Sequence, residues 1–225
     1  MTARTLPLFP LPVVLFPGVA LPLHIFEPRY RRLLADCLAG DRRFGLIFLP
    51  ESAAEHELPR GQVGCVAHVE SAETLPDGRS NIIVAGEERF AMEALVDSTL
   101  PYHVARVTEY VDIPEPASAL EPLAASVREL FARVARAARV LTDDRSPVPE
   151  LPAEPALLAY RIASLIDTTV EMRYRLLTAR SATARLQEIA ALLTAAVDQL
   201  ERRAVVHQHA KQNGRGPGAA PGAAL

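Results

Sequence analysis

An α+β architecture, with strands and one helix in the first half and helices alone in the second, is what this sequence predicts. Three observations carry that reading. Seven of the eleven glycines lie between Gly18 and Gly86, the other four between Gly214 and Gly222, and none between Glu87 and Asn213. Nine of the twelve Phe and Tyr residues precede residue 113. Short β-branched runs separated by turn residues fill the first half, whereas apolar residues at three- and four-residue spacing fill the second.

Taken in order, Glu27 and Pro28 open the one early helix. A carboxylate can accept from free N–H groups at a helix start, and proline suits the first helical position. Tyr30, Leu33, Leu34, Cys37 and Leu38 then form one apolar stripe, and Gly40 is expected to end the helix in a left-handed conformation. Val63, Cys65, Ala67 and Val69 alternate as a strand, with Val66 blurring the pattern. Pro76-Asp77-Gly78 signals a turn before the β-branched run Asn81 to Ala85. Strands are also predicted over Arg89 to Val96 and Tyr102 to Val111, with Glu87-Glu88 a solvated junction and Ala105 and Val107 facing inward. A linker over 114–122 leads to a helix on Leu120, Leu123, Val127, Leu130, Val134, Ala137 and Leu141. The segment 142–152 is polar and proline-rich, hence a loop, with Asp143-Asp144 a polar turn. Short helices follow from Pro155 to Ile166 and over Val170 to Ala179. A last long helix carries Leu186, Ile189, Leu193, Val197 and Leu200, with Leu192 off the stripe and free to touch a further neighbour. The expected organisation is a strand-rich subdomain at 1–113, a helical bundle at 114–206, and a disordered Gly/Pro/Ala tail at 207–225.

Net charge is −3, which argues against a general nucleic-acid binder. Cys37 and Cys65 are too few for a disulfide scaffold and lack metal spacing, as expected of buried small residues in a reducing compartment. The apolar run from Leu6 to Leu23 holds prolines at 7, 10, 12, 17 and 22, so it cannot be a continuous apolar helix. No other stretch approaches the length of a membrane span. A cytoplasmic protein with no membrane association is expected.

The run Leu6-Pro-Leu-Phe-Pro-Leu-Pro-Val-Val-Leu-Phe-Pro-Gly18, followed by Leu21-Pro-Leu-His-Ile-Phe-Glu-Pro-Arg-Tyr30, resembles the opening of the Lon protease N-terminal, substrate-binding domain. The resemblance continues in order through Phe44-Gly45, Gly61 with Gly64, Asp77-Gly78-Arg79, Gly86 with Arg89-Phe90, and Tyr102 with Ala105 and Val107. It reaches Leu158 with Ile162-Ala163, Leu176-Leu177 and Arg185-Leu186, and so covers roughly residues 5 to 203. Where the family often carries Lys-Gln before Leu-Leu, this chain has Arg173-Tyr174-Arg175. The resemblance implies a PUA-like β-barrel carrying one helix, followed by an all-α helical bundle. It also implies recognition of unfolded or tagged polypeptides, here in a free-standing form without ATPase and peptidase domains.

The catalytic equipment of a whole Lon protease is missing from these residues. No G-x-x-x-x-G-K-[ST] phosphate loop occurs. The single lysine, Lys211, falls in the expected tail, where nothing would hold it against a serine. His24 with Glu27, and His207 with His209, resemble metal pairs only superficially, and no nucleophile motif is visible. A non-enzyme with no catalytic residues, no metal and no cofactor is expected. Phe9, Phe16, Leu23, His24 and Phe26 are the candidate peptide contacts, since prolines and turns could leave apolar side chains partly exposed there; the alternative reading is that most of them fill the barrel core. The expected partners are protein or peptide clients, with a protease or a second copy docking on the helical bundle. RNA binding is the alternative, and it requires the arginines to gather into one patch.

Overall fold

The computed structural model describes residues 3–54, 58–142 and 146–213, and side chains as far as 207. Six strands and five helices follow in the order β1 (Arg4–Leu11), β2 (Ala20–Ile25), α1 (Pro28–Ala39), β3 (Arg43–Phe48), β4 (Val63–Thr74), β5 (Ser80–Val96), β6 (Val104–Glu109), α2 (Ala117–Thr142), α3 (Pro155–Leu165), α4 (Val170–Thr178) and α5 (Ala182–Asn213). The predicted class, α+β with strands before helices, is the observed one.

The strands run β2-β5-β4-β3-β1-β6, and a further β5–β6 pairing closes five of them into a ring. The 17-residue β5 makes closure possible. Its first half pairs with β2, its second half with β6, and β4 follows it along most of its length. What reads in the sequence as two strands with a junction at Glu87-Glu88 is one strand that changes neighbours there. The ring is less regular than the barrel the resemblance implies. β2 stays outside it, and register shifts interrupt β4 and β5.

Alternation along the strands divides the apolar residues between two cores. Leu6, Leu8, Ile47, Val66, Phe90, Met92, Ala105 and Val107 fill the ring's interior. Val66 thus blurs the β4 pattern because both faces of that strand are buried. Gly45 and Gly64 make room for Phe90: a Cβ at either position would lie 2.8 Å or 2.4 Å from its Cζ. The larger core lies outside the ring. It joins Phe9, Phe44, Cys65, Val69, Ile82 and Val84 to the apolar stripe of α1, and continues through Phe16 and Tyr160 into the helices. It is continuous across the irregular segment between β6 and α2, where the sequence suggested a division at 113/114.

Several local expectations need correction. Glu27 precedes α1, but its carboxylate takes Arg29 Nε at 2.9 Å and caps no N–H. Gly40 has φ −109°, so it is not left-handed. The turn is instead made at Arg42 (φ 63°), whose N–H bonds Cys37 C=O and whose Nε bonds Val69 C=O. Helix α5 extends to Asn213, past the expected helix end near 207, and residues 214–225 of the expected tail lie outside the described residues. Asp143 and Asp144 also lie outside them, as does the side chain of His209.

Ring and helices meet at a buried ionic junction. Arg89 on β5 is 5% exposed and donates to Leu177 C=O (2.7 Å), Ala179 C=O (2.8 Å) and Asp112. Arg185 on α5 is fully buried and grips both oxygens of Asp112 at 2.7 and 2.6 Å, while donating to Ala179 and Ala156 C=O. Its guanidinium lies 4.5 Å from the Tyr160 ring centroid. Beside this junction Tyr174, which occupies the middle of the departure from the family pattern, packs on Phe48 with ring centroids 5.1 Å apart.

Candidate functional site

The residues proposed from sequence separate into two groups. Phe9 is buried, 4.0 Å from the Tyr30 ring centroid and 5.9 Å from that of Phe44. Phe16 is buried and stacks on Tyr160 at 5.1 Å. Neither can meet a ligand from solvent: both fill the core, and Pro7 and Pro10 lie within β1 without turning Phe9 outward. Leu23, His24 and Phe26 sit together on or just beyond β2. Leu23 is half-buried, His24 exposed, and Phe26 59% exposed.

Register explains the grouping. In the β2–β5–β4 part of the sheet, Pro22 pairs with Ile83 and Ile83 with Ser71, while His24 pairs with Asn81 and Asn81 with Glu73. These rows share the outer face. Leu21, Leu23, Ile25, Ile82 and Val84 belong to the opposite face, against the main core. The outer face forms a groove of about 450 Å³ that includes Pro22, His24, Glu73, Asn81 and Ile83. Ile83 is 44% exposed. His24 Nδ1 lies 2.7 Å from Asn81 Oδ1, and its ring stacks near Phe26 at 6.1 Å.

The β4–β5 hairpin extends this face beyond the ring. Gly78, at φ 80°, closes its turn as Pro76-Asp77-Gly78 predicts, and Arg31 from α1 lies so close over Gly78 that a side chain there would collide with it. Arg79 holds the Asp77 carboxyl below its ordinary range by hydrogen bonding. From the other side, Tyr102 donates to Asp36 of α1 at 2.8 Å. Burial, with this bond to Asp36, raises the phenol to about 12.

Sequence reasoning missed Ile83, Asn81 and Glu73. The signal for Ile83 was present in the unbroken apolar run Ile82-Ile83-Val84, since a strand with one buried face should alternate. Asn81 and Glu73 carry no such signal, because only the register brings them beside β2.

Among the described residues no group of three or more His, Cys, Asp or Glu side chains is placed to hold a metal ion, and no helix is long and apolar enough to cross a membrane. His24 and Glu27 do not converge: one turns to Asn81, the other to Arg29. Arginines spread their charge over local pairs, among them Arg4–Glu88, Arg32–Asp36, Arg43–Glu87, Arg79–Asp77 and Arg133–Glu201.

The face formed by β2, β5 and β4 thus presents exposed apolar side chains beside polar groups. The family model for the ATP-dependent protease La (LON) substrate-binding domain matches residues 5–195. Lon protease 2 of Herpetosiphon aurantiacus is 28% identical over 207 residues, which cover 89% of this chain and 25% of that protein. A Lon protease of Xanthomonas oryzae pv. oryzae is 30% identical over 207 residues, 88% of this chain and 24% of its own. The chain therefore spans about a quarter of the length of the curated relatives it matches. Among solved structures, a Lon N-terminal domain protein from Xanthomonas campestris aligns at TM-score 0.59 and 24% identity, covering 84% of this chain and 98% of that one. The N-terminal domain of Mycobacterium avium complex Lon protease aligns at TM-score 0.64 and 16% identity, covering 85% and 98%. These likenesses establish the fold, and with the match over residues 5–195 they place the chain in the Lon substrate-binding domain family.

Proposed function

We propose that this chain is a non-catalytic recognition module for unfolded or extended polypeptide, and that it binds through the outer face of β2, β5 and β4. The observation that carries the proposal is the exposure of Phe26 and Ile83 on a face that also presents Pro22, His24 and Asn81. Large apolar side chains beside polar groups suit a ligand that offers apolar side chains and backbone together.

Magnitudes limit what these side chains can do alone. Fully burying a Phe or Ile gives about 1.5–3 kcal/mol, and both are already about half covered. Together they supply at most about 3 kcal/mol, weaker than the ~4 kcal/mol of a millimolar complex. Binding in the tens of micromolar needs further contacts.

Titration of the chain into fluorescently labelled, reduced and carboxymethylated α-lactalbumin, which stays unfolded, tests the reading. We expect saturable binding that Ile83→Glu weakens at least several-fold. No change in anisotropy up to about 100 μM, where a complex worth ~6 kcal/mol would be visible, overturns it.

A docking role for the helical half is proposed alongside. Val205 and Val206 are 52% and 69% exposed toward the end of α5, and Val206 shares a groove with Leu141 of α2. We expect this end to meet a protease or a second copy. Light scattering across a hundred-fold concentration range checks the second: a mass that stays monomeric removes self-association.

A further inference from the structure

The backbone of β2 has a handedness of use that its side chains do not reveal. Gly86 N–H donates to Val19 C=O at 2.9 Å, immediately ahead of the paired register Ala20↔Ala85. In an antiparallel ladder, bonded and non-bonded pairs alternate. Counting from Val19, residues Leu21, Leu23 and Ile25 direct their N–H and C=O groups at β5. Ala20, Pro22 and His24 direct theirs outward, where among the described residues no strand pairs with them. Pro22 sits in the one parity that costs the β2–β5 ladder nothing, since proline has no N–H to give. The outer edge therefore offers donor and acceptor at Ala20, acceptor alone at Pro22, and donor and acceptor at His24.

We propose that this edge accepts an extended polypeptide segment from another protein as a seventh strand, a proposal that rests on the polypeptide-binding reading above. Three features define the segment. It carries an N–H opposite Pro22, so it has no proline at that position. It places apolar side chains next to Leu21 and Leu23, which lie at the uncovered margin of the core-facing layer and are only half-buried. Its other side chains lie beside Pro22 and His24 and extend the outer face toward Phe26. Space for the chain exists at the Ala20 end, where a groove of about 400 Å³ opens between Pro17, Gly18 and Ala20 on one side and Leu151, Leu157 and Arg161 on the other.

The same geometry disfavours a second copy as the occupant. Two β2 strands paired antiparallel about Pro22 would set two prolines against each other, with two acceptors and no donor between them. An unrelated segment meets no such conflict. Pro22 thus discriminates against self-pairing while leaving the edge usable.

The test uses the whole ¹⁵N-labelled chain and the unfolded lactalbumin probe. Saturation with the probe is expected to slow amide exchange of Ala20 and His24 at least several-fold, while the amides of Leu21 and Leu23, already bonded to β5, change little. Pro22→Val restores an outward donor and should tighten probe binding about five-fold, the worth of one ordinary hydrogen bond. It should also make the chain self-associate with rising concentration. His24→Pro removes an outward donor and should weaken binding by a similar factor with the circular dichroism unchanged. If Ile83→Glu weakens binding but neither edge variant shifts it and the two amides exchange as before, strand addition is overturned and the outer-face reading stands. Absence of any binding overturns both. Protection of Ala20 and His24 in the unliganded wild-type chain, growing with concentration, overturns the choice of a foreign segment over a second copy.

Discussion

Replacing Asp112 by alanine should destabilise the chain by about 3 kcal/mol, even though Asp112 is itself 28% exposed. The number follows from what would be left behind. Asp112 is the shared counter-ion of two guanidiniums, one fully buried on α5 and one 5% exposed on β5. Removing one partner of a buried ion pair typically costs 3–5 kcal/mol, because the survivor's charge is stranded. Here two charges are stranded, which argues for the upper end. Solvent access at Asp112 and the retained bonds from Arg89 and Arg185 to Leu177, Ala179 and Ala156 C=O argue for the lower end. The chain has no tryptophan, so urea unfolding is best followed by far-UV circular dichroism. With a slope of about 2–3 kcal/mol per molar urea, the midpoint should fall by roughly 1–1.5 M. Adding Arg185→Met to Asp112→Ala removes one stranded charge, so the double variant should be more stable than the sum of the single losses by at least about 1 kcal/mol. A midpoint shift below about 0.3 M, or strict additivity, would refute the claim that this carboxylate holds ring and helices together.

Gly86→Ala should be severely destabilising, by about 3 kcal/mol or more, because its Cβ would lie 2.0 Å from the backbone oxygen of Phe16; thermal unfolding checks it, and a near-native Tm would show that the β1–β2 connection gives way easily. Both thiols should resist iodoacetamide in the native chain and react in urea. Burial raises Cys37 to about 12 and the fully buried Cys65 higher still, so rapid native labelling of either contradicts the packing. Arg43 holds the Glu87 carboxyl below its ordinary range through bonds of 2.7 and 2.9 Å. A depressed folded value means the pair's contribution is complete above the unfolded value of about 4.3 and fades as pH falls through the lower folded one. Glu87→Gln should therefore cost less than about 1 kcal/mol at pH 7 and lose that deficit below about pH 4, as read from urea midpoints against pH.

Helices were the more legible half of the sequence because their signal is local. The stripe through Tyr30, Leu33, Leu34 and Cys37, and the one through Leu186, Ile189, Leu193 and Val197, name their buried faces correctly. Strands need partners that sequence spacing does not supply. Nothing in the residues says that β5 passes from β2 to β6 at Glu87. The junction of Arg89, Asp112 and Arg185 is equally hidden, since its members are 23 and 73 residues apart in the chain. Of the five proposed contact residues the structure leaves three near the surface, and the outer face that His24 and Phe26 share includes Ile83, Asn81 and Glu73, which only the register could reveal.

The prolines that identify the N-terminal run also concealed its strands, and the two facts have one cause. Proline is expected to break a ladder, so a segment with prolines at 7, 10, 12, 17 and 22 reads as irregular. A ladder uses only every second residue of an edge strand, however, and a proline at the unused parity costs it nothing. Pro22 occupies that parity in β2. A bare edge next to exposed Phe26 and Ile83 would otherwise invite copies of the chain to pair with one another. With the outward donor removed at its centre, the edge can stay uncovered. The proposed strand addition needs that condition: an edge open to a foreign strand and poorly matched to its own.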